Sequence, residues 1–199
     1  MLNTSYKKIM KLKKVFIAIF KKYYINKFLS CENDIRFSPQ NSFFSYSSIK
    51  VGKNVFINKN AYFSGDITIG DDVLIGPNVF ITSGDHQYTK VGQRVQKQGR
   101  IKIESVTIEN DVWVGANVSI LRGVKILEGT VIGTASVVTK DMPPYCVCVG
   151  NPCKPVKLRY TDDQLIEHLG LLGKDQVESN KIIKIRHEML KKYDLKLNL

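Results

Sequence analysis

Residues 69–81 read Ile69-Gly70-Asp71-Asp72-Val73-Leu74-Ile75-Gly76-Pro77-Asn78-Val79-Phe80-Ile81, two turns of a count in sixes. The count runs outward in both directions. Aliphatic or aromatic markers fall upstream at Val51, Ile57 and Phe63, and downstream, after a single break just past His86, at Ile108, Val114, Ile120, Ile126, Ile132 and Val138. Small or branched residues recur four places after the marker, as at Val55, Ala61, Ile67, Val73, Val79, Val112, Val118 and Val124. A helix would space apolar residues by three and four, and a lone strand by two, so neither accounts for a marker at six with a companion at plus four. A fixed six-residue period predicts a parallel β-helix, in which each unit is one short strand plus a turn and stacked coils bury what no single unit could.

In such a prism the marker points into the core. The glycine that often follows it (Gly52, Gly70, Gly76, Gly115, Gly133) is expected at a bend with tight backbone angles, and the neighbouring Asn and Asp suit turns. An interior filled with stacked Ile and Val leaves no room for a ligand. Chemistry must then sit outside, or where the period fails.

At 199 residues the chain is long enough for one domain with appendages. Its net charge of +12 is concentrated at the ends, which argues against a nucleic-acid-binding surface spread over the scaffold. No acid precedes Glu32, while Lys7, Lys8, Lys11, Lys13, Lys14, Lys21, Lys22 and Lys27 alternate with apolar residues. That predicts a basic amphipathic helix over 1–30, docked on the scaffold or lying on an anionic membrane surface. The β-helix is expected over 36–160, with an extruded loop over 87–105. A helical tail is expected over 161–199, with helices over 161–171 and 174–192 and a capping sequence at Thr161-Asp162-Asp163-Gln164. The apolar run from Val15 to Phe20 is short of the about 20 residues needed to span a bilayer, and no cleavage site follows it. The expectation is a cytoplasmic protein whose N-terminal helix can touch the inner face of the membrane. Cys31, Cys146, Cys148 and Cys153 lack zinc-site spacing and read as reduced thiols.

The excursion over 87–105 has no hexad register and carries Lys90, Arg94, Lys97, Arg100 and Lys102. A structureless insertion of this length in a periodic solenoid is uncommon unless it covers a site or completes one. Its charge suits an anionic acceptor, and Arg94 is the candidate contact. At its mouth stands His86, the one histidine of the scaffold, after Asp85. Imidazole is the side chain that exchanges a proton near neutral pH, so His86 is the candidate general base, with Asp85 placed to orient or charge-stabilise the ring.

Five stretches in this order carry a resemblance: the 69–79 segment; Asp85-His86; Asp111-Val112-Trp113-Val114-Gly115; Gly133 to Pro143; and Gly150-Asn151-Pro152-Cys153-Lys154. The chain resembles the hexapeptide-repeat acyltransferases, specifically the group of galactoside and maltose O-acetyltransferases and of capsule and O-antigen polysaccharide O-acetyltransferases. The resemblance covers about residues 49 to 159. It implies a left-handed β-helix, a homotrimer, and acetyl-CoA in a groove between subunits, with no metal. It also implies site residues. His86 matches the catalytic histidine, and Asn58 the asparagine that holds the acceptor, with Asn60 as a rival across a length difference. Trp113 matches the tryptophan beside the donor cleft, and Ala116 the backbone N–H at the thioester. Thr134, Thr139 and Lys140 match donor contacts, and Lys154, Lys157 and Arg159 fall where basic residues meet the coenzyme phosphates. The chain departs from the pattern at Cys153, at Leu121-Arg122-Gly123 and in its tail of about forty residues.

The implied reaction is direct acetyl transfer to a sugar hydroxyl of a surface polysaccharide or its precursor, because no serine or cysteine sits in a nucleophile motif. Three other readings compete: N-acetylation of a nucleotide-linked amino sugar, acetylation of a xenobiotic such as an antibiotic, and a non-catalytic basic scaffold binding polyanions or membrane. A zinc-dependent carbonic anhydrase on this scaffold would need three coil histidines and finds one.

Overall fold

The computed structural model describes Ile19 and residues 27–28, 30–31, 35–38, 42–45 and 48–193. The helix expected over 1–30 falls almost wholly outside the described residues. Five three-stranded coils follow one another. They are β1 (Ser30–Cys31), β2 (Arg36–Phe37) and β3 (Phe43–Phe44); β4 (Ile49–Val51), β5 (Phe56–Ile57) and β6 (Tyr62–Ser64); β7 (Ile67–Ile69), β8 (Leu74–Ile75) and β9 (Phe80–Thr82); β10 (Val106–Ile108), β11 (Trp113–Val114) and β12 (Ser119–Ile120); and β13 (Lys125–Ile126), β14 (Val131–Ile132) and β15 (Val137–Val138). Two more strands, β16 (Cys146–Val149) and β17 (Lys154–Leu158), complete the set. First strands stack as sheet A, second strands with β16 and β17 as sheet B, and third strands as sheet C. These are the sides of a left-handed parallel β-helix.

Register explains why this sequence makes this prism. Val51 pairs with Ile69, Ile57 with Ile75 and Phe63 with Ile81, so each marker lies on the marker of the next coil. The markers Ile57, Phe63, Ile81, Ile108, Val114 and Ile120 and the companions Val55, Val73, Val79 and Val118 are all fully buried. Each large aliphatic side chain in this column contributes about 1.5–3 kcal/mol of burial. Equivalent corner residues lie eighteen apart between ordinary coils and thirty-nine apart across the excursion, so the insertion adds twenty-one residues without disturbing register.

The glycine after the marker is not where the backbone turns left-handed. Positive φ, between 51° and 60°, falls three places after the marker, at Asn54, Asn60, Asp72, Asn78, Asp111 and Asn117. Asn and Asp tolerate this region at modest cost. Glycine is needed for a different reason: a β-carbon at Gly76 or Gly115 would stand 2.8 Å from the backbone nitrogen of Ala116 or Thr134 on the next coil. The constraint is close coil stacking, not backbone angle.

Both ends of the prism are plugged. At one end Phe28, Phe37 and Phe44 meet edge to face, with ring centroids 5.7–5.8 Å apart. Here the strands begin at Ser30, ahead of the expected start at 36, and β1 pairs with β4. The hexad count misses this coil because Phe44 lies nineteen residues before its partner Phe63. At the other end the antiparallel ribbon of β16 and β17 closes sheet B, and Leu190 of the tail enters the core.

The tail forms α1 (Asp162–Leu171) and α2 (Gln176–Lys191). The expected cap is present as a full capping box between Thr161 and Gln164. Leu165 and Leu169 pack with Tyr145, Tyr160, Ile182 and Ile183. Fully buried Arg186 anchors α2, donating to the Tyr160 carbonyl at 3.0 Å and pairing with Asp162. Among the described residues no helix is long and apolar enough to cross a membrane.

Candidate active site

His86 stands at the corner between sheets C and A, immediately beyond β9, where the excursion is pinched. It forms an antiparallel bridge with Arg100; the Gln87 N–H donates to the Gly99 carbonyl at 3.0 Å, and the Ile101 N–H to the Asp85 carbonyl at 3.2 Å. Both stems are fastened to the coil. The Glu104 N–H donates to the Ser83 carbonyl at 3.0 Å, and the buried Ser83 hydroxyl accepts from the Asp66 N–H at 2.7 Å. Inside the loop the buried Gln98 amide ties Lys90 to Gln93. The excursion is thus an ordered projection, with Arg94 exposed on it.

The His86 side chain is exposed, and among the described residues its ring has no hydrogen-bond partner. Asp85, expected to orient the ring, does something else. Its Oδ1 accepts from the His86 backbone N–H at 2.7 Å, so it fixes the backbone from which the imidazole projects.

A second group of expected residues lies at the B–C corner, one full side of the prism away. The two asparagines differ there. Asn60 has φ of 60° and its side-chain amide donates to Asn78 at 2.8 Å, and Asn78 donates to Asn117 at 2.9 Å, so Asn60 belongs to a structural ladder. Asn58, half-buried, uses Oδ1 on the Lys59 N–H at 2.8 Å, and among the described residues its side-chain NH₂ is unclaimed. Ala116 and Thr134 follow on successive coils of the same corner, and neither amide N–H has a hydrogen-bond partner among the described residues. Trp113 lies on the outer face of sheet B between Leu74 and Val131, and is 54% exposed.

The basic residues divide into two groups. Lys140 and Lys154 line one cleft of about 600 Å³ together with Thr139, Asp141, Pro152 and Cys153. Tail residues Met189, Lys192 and Tyr193 complete its wall. Thr139 and Lys140 share the C–A corner with His86, two coils further on, about 10 Å along the axis at the usual strand spacing. Lys157 and Arg159 line a separate, smaller hollow of about 330 Å³. Arg159 is already engaged, donating to Asp111 at 2.9 Å and to the Gly129 carbonyl at 2.7 Å, with its guanidinium over the Tyr160 ring. Its place is structural: it ties the A–B corner to the start of the tail.

The three buried cysteines offer no nucleophile. Burial pushes the Cys146 thiol up to about 12 and Cys153 up to about 11, and Cys148 is raised as well, so all three stay protonated near neutral pH. No cluster of three potential metal ligands occurs among the described residues.

Known proteins resemble this arrangement. The family of bacterial transferase hexapeptides (six repeats) matches residues 48–83 and 105–140, which leaves out the excursion. A maltose O-acetyltransferase from Clostridium difficile 630 superposes with a TM-score of 0.64 at 35% identity, covering 71% of this chain and 75% of that one. A galactoside acetyltransferase in complex with coenzyme A gives 0.59 at 32% identity, covering 72% and 71%. The chain belongs to the hexapeptide-repeat acetyltransferases. In sequence, a chloramphenicol acetyltransferase of Klebsiella aerogenes is 45% identical over 64 residues, 32% of this chain and 30% of that protein. The chain thus spans only about a third of the length of the curated relatives it matches.

Two features escaped the hexad reading. The wall that the tail gives to the cleft has only a faint signal in the basic-aromatic end of a helix, Lys191-Lys192-Tyr193. The buried Arg186, paired with Asp162 and beside His187, has no sequence signal in a helix otherwise rich in exposed charge.

Proposed function

We propose that this protein transfers the acetyl group of acetyl-CoA to a sugar hydroxyl of a surface polysaccharide or its precursor, with His86 as general base. The observation that carries the reading is the placement of an exposed, unpartnered imidazole on the same corner as the cleft of Thr139, Lys140 and Lys154. The His86 ring takes the hydroxyl proton as the oxygen attacks the acetyl carbon. The carbonyl electrons move onto oxygen and then return, expelling the coenzyme thiolate, which takes up a proton. General-base assistance of this kind is worth about 10² to 10⁴ in rate. An unclaimed backbone N–H such as that of Ala116 is suited to the developing oxyanion, a role worth about 3 kcal/mol.

Asn58, with a free NH₂, fits acceptor binding better than Asn60. Because the His86 corner and the Asn58 and Ala116 corner are on different edges of one prism, a complete site calls for a neighbouring copy, as in a homotrimer. Thr139, Lys140 and Lys154 are assigned to the donor. A cytoplasmic setting fits the donor, and the basic segment over 1–30 would bring the enzyme to an anionic membrane face. A second reading, a xenobiotic acceptor, draws on the match to a chloramphenicol acetyltransferase.

The deciding experiment measures free thiol released from acetyl-CoA across glycosides, nucleotide sugars and antibiotics, with mass spectrometry of each product. One acetyl on a sugar oxygen supports the proposal; an acetyl on nitrogen, or turnover only with an antibiotic, overturns it. Mixing His86→Ala protomers with protomers whose acceptor side is blocked by the bulky Asn58→Trp substitution tests the shared site. Recovery of activity on mixing is expected, and none would place both residues in one protomer's site.

A further inference from the structure

The tail does more than plug the prism. Lys192 and Tyr193 reach the cleft because α2 is anchored upstream by Arg186 and Leu190, and because the Tyr193 hydroxyl donates to the Asp141 carbonyl at 2.8 Å. The cleft therefore has a scaffold wall with Lys140 and Lys154 and a tail wall with Lys192. None of these three ammonium groups has a carboxylate partner within ion-pair distance among the described residues. Asp141, the one acid in the lining, accepts at Oδ1 from the Lys125 backbone N–H at 2.7 Å. Three unpaired like charges around one hollow raise each other's energy, and a multiply charged anion relieves the repulsion.

We infer that the C-terminal helix forms part of the coenzyme site, with Lys192 joining Lys140 and Lys154 on phosphate groups of the donor. This rests on the acetyl-CoA reading above and adds a residue from outside the repeat to it. The recognised chemistry is a phosphate ester or diphosphate. Its position suits the donor, since His86 lies about 10 Å up the same corner, within reach of an extended pantetheine arm. The competing role for Lys192 is to offset the negative end of the α2 dipole, which would affect the helix and not the ligand.

The test titrates the full chain and its Lys192→Met, Lys192→Glu and Lys192→Arg variants with coenzyme A, 3′-dephospho-coenzyme A, pantetheine and orthophosphate, while following helix content and melting temperature. Lys192→Met should weaken coenzyme A about 10-fold or more, the lower end of the range for a hydrogen bond between charged groups because Lys192 is exposed, with Lys192→Glu weaker still and Lys192→Arg near wild type. Pantetheine, which carries no phosphate, should be insensitive to all three. Coenzyme A bound by Lys192→Glu as tightly as by wild type overturns the inference while leaving the transferase reading standing. A change in melting temperature that Lys192→Arg does not restore, with unchanged coenzyme affinity, assigns Lys192 to the helix instead. Orthophosphate binding as tight as coenzyme A makes this a simple anion site. A wild-type chain that binds no coenzyme A removes both proposals together.

Discussion

The B–C and C–A corners of the prism are built from the same repeat and behave differently. At the B–C corner the side chains satisfy one another, Asn60 to Asn78 to Asn117, and Gly76 and Gly115 let the backbones close to contact. At the C–A corner the period is interrupted. A β-carbon added at Gly84 would meet nothing within 4 Å, His86 faces solvent, and Lys140 two coils away has no counter-ion among the described residues. Periodic stacking consumes the Asn60, Asn78 and Asn117 side chains in holding coils together, whereas the imidazole stays available where the period stops.

The largest expected effect tests that contrast at His86. His86→Ala should lower turnover by about 10² to 10⁴ at saturating donor and acceptor, with the circular dichroism spectrum unchanged. Near-normal turnover would remove the assigned base. The next contrast is between glycines. Gly115→Ala forces a methyl against the Thr134 backbone and should cost about 1–3 kcal/mol, read as a fall in melting temperature, whereas Gly84→Ala should be near neutral. Equal melting temperatures would show that close coil stacking is not the constraint.

A smaller effect separates the two asparagines of the quiet corner. Asn58→Ala should raise the acceptor KM about fivefold, as for one lost hydrogen bond, with little change in stability. Asn60→Ala should cost about 1–2 kcal/mol of stability through its left-handed backbone and leave KM alone. A reversed pattern would make Asn60 the acceptor ligand.

A last contrast appears only at alkaline pH. Cys146 and Cys153 have folded pKa values raised by burial from 9.0 to about 12 and about 11, so the folded state holds protons that the unfolded chain has released. Their contribution is complete below pH 9 and is lost as pH rises towards 11–12, the direction that linkage requires for raised values. Denaturant midpoints across that interval should fall less for Cys146→Ala than for wild type.

The prism was legible because its period is a packing requirement: Ile57, Ile75, Val114 and Ile132 must each land on the same inward position. The loop and His86 stood out as the one failure of that period. What stayed hidden depends on contacts without a repeat. The hydrogen bond that turns Asp85 towards the His86 backbone instead of its ring is a single local choice. Arg159 looked like a phosphate ligand until Asp111 and Gly129, distant in sequence, proved to hold it. The wall formed by Lys192 depends on where α2 docks, which the buried Arg186 decides.

The reversal of direction at β17 has a consequence for assembly. A ladder of parallel strands invites an identical molecule to add on at its free edge, the route by which stacked β structures elongate into fibres. On the last edge of sheet B the outermost strand runs the opposite way, so the parallel ladder of that sheet stops at β16. A second prism added end to end cannot extend sheet B with the parallel pairing that stacks the coils within the molecule.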